Sequence, residues 1–435
     1  MSENITTEAI DFYTNLSALD EKFTPKFEKP RSGKNWVPWG HKGDNRYPLM
    51  LMDLLKNSSL HGMIIKSKTN TVSGQGFERV DETELEGAQK DFMEDMDGRG
   101  NSAKEIIDST DLDEGIFGQR ALLVTWDSTW TKIVHASYRP VMNFRPFKDL
   151  DEFGEVSSYI YSTDWTTRQP YRPVAIPVFS EATAKENKKR YADALEDLGL
   201  KADADEKTKA LVKEKFDKIN SEGRTQVIMD GTYLPDSKYF GVPFYGAAAM
   251  VIRTDIQSDV FAFNAMESNL SSDYIVQING IQDQIEFNKA AKAFIKMHTG
   301  AMASGKPPVT KGGIDGKGGV EIKPTGLKGA DTKLTEINTK TQQKILSAHG
   351  ITSAEFVGIA TSGKLGNSTE LKNLYDLYQS NIISPIQARR DKMINKINKV
   401  NGWPLLKTIP NMNVFAEQEA KEGAEVVEDI DETNL

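Results

Sequence analysis

Apolar residues recur at helical spacing through most of the chain after residue 45. Following Tyr47-Pro48, the residues Leu51, Leu54 and Leu55 fall at i, i+3 and i+4 on one helix face. Ser58-Ser59 can cap a second helix that ends near Gly74 and Gly76. A carboxylate-rich stretch over 84–114 continues the helical pattern. The period then shortens: residues 121–126 and, after an Asp-Ser-Thr turn, 131–138 are apolar and β-branched, which predicts a hairpin. Strand character returns at 225–229. The lysine- and glutamate-dense stretch 180–223 carries few large apolar residues and is expected to be an exposed helical hairpin inserted into this N-terminal unit.

The second half repeats the helical pattern on a larger scale. Ile252, Ile256, Val260, Phe263, Met266 and Leu270 share one stripe of a helix starting at Phe244, about 27 residues and roughly 40 Å long. Phe261 lies on the opposite face, so contacts on two sides are expected. A short strand at 274–278 stops at Asn279-Gly280, and a helix over 281–299 follows. Eight glycines then fall between Gly305 and Gly329, too many for the interior of a packed element. Within that stretch, 308–310 and 320–322 are predicted to pair as short strands. A second amphipathic helix over 332–349 places Leu334, Ile337, Ile345 and Ala348 on one face. After a Gly/Ser/Thr loop, Ser368-Thr369-Glu370 opens a long helix. Its stripe is Leu371, Tyr375, Tyr378, Ile382, Ile386, Met393, Ile397 and Val400, and Pro385 should kink it.

Charge changes the picture locally. The chain has 54 basic and 63 acidic residues, net charge −9, which argues against tight sequence-independent gripping of phosphate but suits a protein past which DNA slides. Between Lys292 and Lys333, by contrast, eight lysines face only Asp315, Glu321 and Asp331. The segment 417–432 carries eight carboxylates and one lysine. Absence of cysteine excludes disulfides, thiolate metal sites and cysteine nucleophiles. No apolar run reaches bilayer length, and no basic start followed by an apolar block suggests a secretory signal. No phosphate-binding G-x-x-x-x-G-K-[ST] loop is present; Gly-Ile-Asp-Gly-Lys-Gly-Gly at 313–319 lacks the hydroxyl residue. The five histidines are dispersed, and the acidic loop around Asp95 lacks the alternating ligands of a calcium loop. No cofactor, no metal and no enzymatic activity are expected.

The order of elements, and strings such as HGITSAEFVGIATSGKLGNSTELKNLYDLYQSNIISPIQARRDKMINKIN with its Ile382-Ile383 followed by Pro385, resemble the portal proteins of tailed bacteriophages. GIFGQRALLVTWDSTWTKIVHASYRPVMNFRPF resembles the family's strand–turn–strand unit in outline. Where the family carries a Val-Pro-Pro turn, this chain has Ser353-Ala354-Glu355-Phe356-Val357, and the region after Gly402 is short.

The resemblance implies an α+β fold: an N-terminal arm (1–45), a wing (46–243, with the 180–223 insertion), a stem helix (244–271), a clip (272–331) and a second stem helix (332–349). A tunnel loop (350–367), a kinked helix toward the crown (368–402), and a short crown with an acidic tail (403–435) complete it. It further implies a dodecameric ring at a capsid vertex, assembled in the host cytoplasm. That ring would meet the major capsid protein, the terminase packaging motor, a head–tail connector and double-stranded DNA without sequence readout, and no membrane. Another phage structural or adaptor protein is the alternative, a nucleic-acid hydrolase the remoter one.

On that resemblance, Thr361, Ser362, Gly363, Lys364, Leu365, Gly366 and Asn367 would project into the DNA channel. Lys306, Lys311, Lys317, Lys323 and Lys328 would dock partners at the clip, with DNA at the channel exit or a plain solvated loop as the other possibilities. Lys340 and Lys344 could face the channel or a neighbouring subunit. Arg389, the odd residue in an apolar stripe, is expected to form an intersubunit salt bridge.

Overall fold

The computed structural model describes residues 34–40, 43–127, 130–165, 170–197, 224–235, 237–268, 274–281, 283–298, 309–311, 319–324, 330–351, 354–357 and 368–411. Helix α1 (Tyr47–Asn57) carries Pro48 in its first turn, where the missing N–H costs nothing. Ser58 caps α2 (Ser59–Ser73) by accepting from the His61 N–H at 3.2 Å. Strand β1 (Gly76–Arg79) follows. The stretch read as one continuous helix over 84–114 is two, α3 (Gly87–Glu94) and α4 (Ala103–Phe117). The break lies in the acidic loop, whose carboxylates bind backbone N–H groups: Asp95 accepts from Gly100, and Asp97 from Arg99 and Asn101. Glu105 completes a capping box with Ser102. Such a loop satisfies itself and starts a new helix.

Strand β2 (Gln119–Trp126) is buried along nearly its whole length and forms the predicted antiparallel hairpin with β3 (Ile133–Tyr138). A second antiparallel sheet joins β4 (Phe144–Pro146), β5 (Ser158–Tyr161) and β6 (Val174–Pro177) in that order. Helix α5 (Glu181–Asp197) covers the described part of the charged insertion. It is less free than its composition suggests: Ala184 is buried, and the Lys188 ammonium donates to the Val400 carbonyl. Strand β7 (Thr225–Gly231) returns to the other edge of β2, giving the order β3-β2-β7. Alternate residues of β2 then serve two cores. Ala121 and Leu123 pack with α1, α2 and the end of α4, whereas Leu122 and Val124 pack with α3 and the start of α4.

After a 3-10 turn at Gly246–Ala248, α6 (Ala249–Ser268) is the first long helix, about 30 Å by its 20 residues. It begins five residues later than predicted, because Phe244 is excluded and Tyr245 is held in the core, its hydroxyl donating to the Ile116 carbonyl at 2.7 Å.

A small module hangs from the far end: β8 (Tyr274–Asn279), α7 (Gln284–His298), β9 (Val309–Lys311) and β10 (Gly319–Pro324). The two short strands predicted to pair with each other instead flank β8, β10 antiparallel and β9 parallel. The reason is apolar content: β8 supplies buried Val276 and Ile278, which pack on Phe287, so it takes the centre and the polar strands take the edges.

Helix α8 (Ala330–Ala348) returns alongside α6. A 3-10 turn at Ala354–Val357 and α9 (Ser368–Tyr378) bracket the predicted loop, which lies outside the described residues. The predicted kink takes the form of a π-turn, Gln379–Ile383, leading into α10 (Ser384–Asn401) with Pro385 in its first turn. Proline has no N–H to offer the fourth carbonyl back and its ring crowds that carbonyl, so the backbone widens just before it. Finally β11 (Leu406–Ile409) pairs antiparallel with β1, bringing the chain back to its N-terminal helices.

Candidate functional site at the helix junction

Helices α2, α4 and α10, the sheet of β2 and β7, and β11 converge on one buried knot of charge. Arg120 at the start of β2 and Arg390 on α10 are both fully buried and share Asp111 of α4. Arg120 Nη1 lies 2.5 Å from Asp111 Oδ1, and Arg390 Nη1 lies 2.7 Å from Oδ2. Arg120 Nε is also 3.4 Å from Asp230, at the end of β7. Arg389 pairs with Glu114 of α4 and lies 3.6 Å from Asp230. Arg390 further donates to the Val72 carbonyl at 2.8 Å and to the Thr408 hydroxyl. Six elements (α2, α4, α10, β2, β7 and β11) are thereby tied together by groups that cannot be left unpaired in a low-dielectric interior. Burial pushes the Asp230 carboxyl above its ordinary range, with Arg120 and Arg389 opposing it. Asp113 is pushed up to about 7 by burial, although the Val141 N–H and the Tyr138 hydroxyl both donate to it.

Beside this knot lies a cavity of about 350 Å³. Its walls include Ile65 and Val72 of α2, Phe244 and Tyr245, Ile382 of the π-turn and Pro385 of α10. Lys68, 7% exposed, reaches into it. Among the described residues its ammonium has no hydrogen-bond acceptor or ion-pair partner; the Phe244 ring lies 4.9 Å away. Burial lowers its pKa to about 8, with Glu114 pulling upward and Arg389 pushing down.

On α2, as Lys68 is, His61 meets His349, just past the end of α8, with Nδ1 and Nε2 3.0 Å apart. Both rings pack against Tyr245. Burial lowers His61 to about 4, and burial together with His61 and Lys68 lowers His349 to about 2. Both are therefore neutral in the folded protein, one nitrogen of the facing pair donating. In the unfolded chain each protonates near pH 6.5. The folded pKa values are depressed, so the pair's stability is intact above pH 6.5 and is lost as pH falls toward about 4. The loss approaches about 1.4 kcal/mol per pH unit for each ring. Guanidinium unfolding midpoints at pH 7.5 and 5.0 should differ accordingly, and His349→Phe should flatten the difference.

The residues singled out in the sequence are dispersed around this junction. Thr361, Ser362, Gly363, Lys364, Leu365, Gly366 and Asn367 lie outside the described residues, as do Lys306, Lys317 and Lys328. Lys311 ends β9 and Lys323 lies in β10, on opposite edges of the small sheet. Lys340 is exposed and pairs with Glu336 one turn earlier at 2.5 Å; Lys344 is exposed on the same helix. Arg389 differs from expectation in finding its carboxylates, Glu114 and Asp230, within its own chain. Sequence reasoning missed Lys68, Asp111, Arg120 and the histidine pair. Arg120, heading an otherwise apolar strand, is a signal that could have been used; the histidines, 288 residues apart, give none.

Neither any known family nor any curated protein matches the sequence. Solved structures do share its fold. A chain in the virion of the native gene transfer agent (GTA) particle superposes with TM-score 0.50 at 12% identity, covering 87% of this chain and 88% of that one. A chain in the neck of the empty GTA particle, computed with C6 symmetry, gives 0.52 at 12% identity over 86% and 87%. One in the neck of the native particle, computed with C12 symmetry, gives 0.50 at 12% over 88% and 89%. The chain thus shares an α+β fold with chains of the GTA virion and neck.

Proposed function

We propose that this chain is the portal subunit of a tailed-phage-like particle. On this proposal a ring of about twelve copies, at one capsid vertex of the virion, forms the channel for DNA packaging and ejection and docks the terminase motor and head–tail connector. The observation carrying this reading is a fold shared along almost nine-tenths of the chain with a twelvefold-symmetric neck component.

The surface of the single chain supports it. Helices α6 and α8 bury their junction ends, Ile252 and Ile345, completely. Their other halves present Phe263, 62% exposed, and Ile337, 46% exposed. Adjacent copies standing side by side in a ring would cover such faces. In this arrangement 272–331 is the clip, with Lys306, Lys311, Lys317, Lys323 and Lys328 as its docking charges, and 361–367 lines the channel, where Lys364 contributes one charge per copy to a sequence-independent contact. Lys340 and Lys344 would face the lumen or the neighbouring subunit.

Particle mass tests the proposal directly. Light scattering of the purified protein, or of the protein assembled with its capsid partners, should give roughly twelve times the 48.5 kDa chain. A stable monomer that hydrolyses nucleic acid would overturn it.

A further inference from the structure

The cavity beside Lys68 is incomplete within one chain. It is mostly apolar, yet it holds an ammonium that is more than nine-tenths buried and has no acceptor among the described residues. Glu114, Asp111 and Arg389 also line the cavity, and Glu114 attracts the ammonium without contacting it. Burying such a group with no direct acceptor is unfavourable, so the site is suited to an occupant that brings an apolar body and a carboxylate together. Tyr233, 80% exposed, stands at the rim.

The same chain displays such a feature. Phe153 is 81% exposed and is flanked by Glu152, for which no partner exists among the described residues, and by Glu155. It sits on a tight turn closed by the Leu150–Val156 bridge. Asp151 holds that turn: its carboxylate accepts from the N–H of Phe153 at 3.0 Å and of Glu155 at 2.8 Å, while its own N–H donates to the Glu155 carbonyl at 2.9 Å. Gly154 takes φ +79°, a conformation that other residues resist. A turn fixed in this way loses little freedom when it docks. A knob and an unfilled hole at different places on one surface make a head-to-tail contact, which closes into a ring when the rotation permits.

We propose that the cavity beside Lys68 receives the partner's Phe153 from a second copy of this chain, with the partner's Glu152 approaching the Lys68 ammonium. The proposal rests on ring assembly as the function and names the contact that drives it. The aromatic ring displaces water from the walls formed by Ile65, Val72, Phe244 and Ile382, and the carboxylate supplies the ammonium with a direct acceptor. Residues beside the charge knot thus become part of a subunit interface.

The natural chain has no cysteine, so an introduced pair reports this contact alone. Phe153→Cys together with Tyr233→Cys, oxidised at a protein concentration well above the raised assembly threshold that loss of the aromatic ring entails, should give a non-reducing ladder in multiples of 48.5 kDa; neither single variant should. Phe153→Ser and Lys68→Glu should each raise the protein concentration needed for ring formation by about tenfold or more. Lys68→Glu combined with Glu152→Lys should restore assembly. Lys68→Met guards against misfolding as the cause: it removes an unpaired charge, so it should melt no lower than the natural chain while still assembling less readily. Rings that form at unchanged concentration in Phe153→Ser, with no ladder, overturn this contact and leave the ring proposal standing. A fast-migrating cross-linked monomer also overturns it, because the turn then reaches its own cavity. A natural chain that stays monomeric, together with no ladder from the double-cysteine variant, overturns both.

Discussion

Arg390→Met should destabilise the folded chain by about 3–5 kcal/mol, the range seen when one member of a buried ion pair is removed. The side chain is fully buried and serves acceptors on three separate elements: Asp111 of α4, the Val72 carbonyl at the end of α2 and the Thr408 hydroxyl of β11. Methionine fills much of the same volume, so the loss is electrostatic rather than a cavity. Asp111 would retain Arg120 but lose half of its counter-charge, and the Val72 carbonyl would be left buried without that donor. Against a total of about 5–15 kcal/mol for a typical domain, this is a large fraction. Arg390→Lys should recover only part of it, because an ammonium cannot span the acceptors that a planar guanidinium reaches. Guanidinium unfolding followed by circular dichroism measures both variants. A cost under about 1 kcal/mol for the methionine variant would show that the knot is dispensable for stability.

The π-turn shows how much of this was legible. A strict 3.6-residue stripe through Tyr378 passes to Ile382 and Ile386. In the structure the widened turn inserts one extra residue, so burial moves to Ile383, then Gln387 and Arg390, before rejoining Met393 and Ile397. Pro385 announced a disturbance but not its direction, and that one-residue shift decides that Arg390 goes to the core while Arg389 lines its edge. Local signals fared well where the physics is local: the Ser58 cap, the β2–β3 hairpin and the two long helices follow from neighbouring residues. What escaped depends on pairing across hundreds of positions. Strand β11 is four residues with no turn tying it to β1. His61 and His349 look like dispersed singletons until α8 returns to α2. Edge strands β9 and β10 could choose each other on propensity, and only the apolar content of β8 decides the order.

On the portal proposal, replacing residues 361–367 by a short Gly-Ser link should leave ring assembly and thermal stability unchanged but abolish DNA retention in packaged particles. The argument rests on the flanks. On one side Ile351 is buried, and Phe356 packs against Tyr375 and Tyr378 with centroids 6.3 Å from each. On the other, α9 runs directly into the π-turn, whose Ile383 is fully buried. Both ends are therefore fixed by contacts among the described residues outside 361–367, which the replacement leaves in place. The segment itself offers small and polar residues, one leucine and one cation, a composition suited to touching phosphate without reading bases. Lys364→Ala should accordingly act more weakly than the replacement and lessen the salt dependence of retention, since each phosphate contact contributes counterion release. Nuclease protection of packaged genome, measured across salt concentrations, separates these outcomes. Assembly lost together with retention would mean that 361–367 packs between subunits, and the channel role would then pass to the exposed lysines of α8.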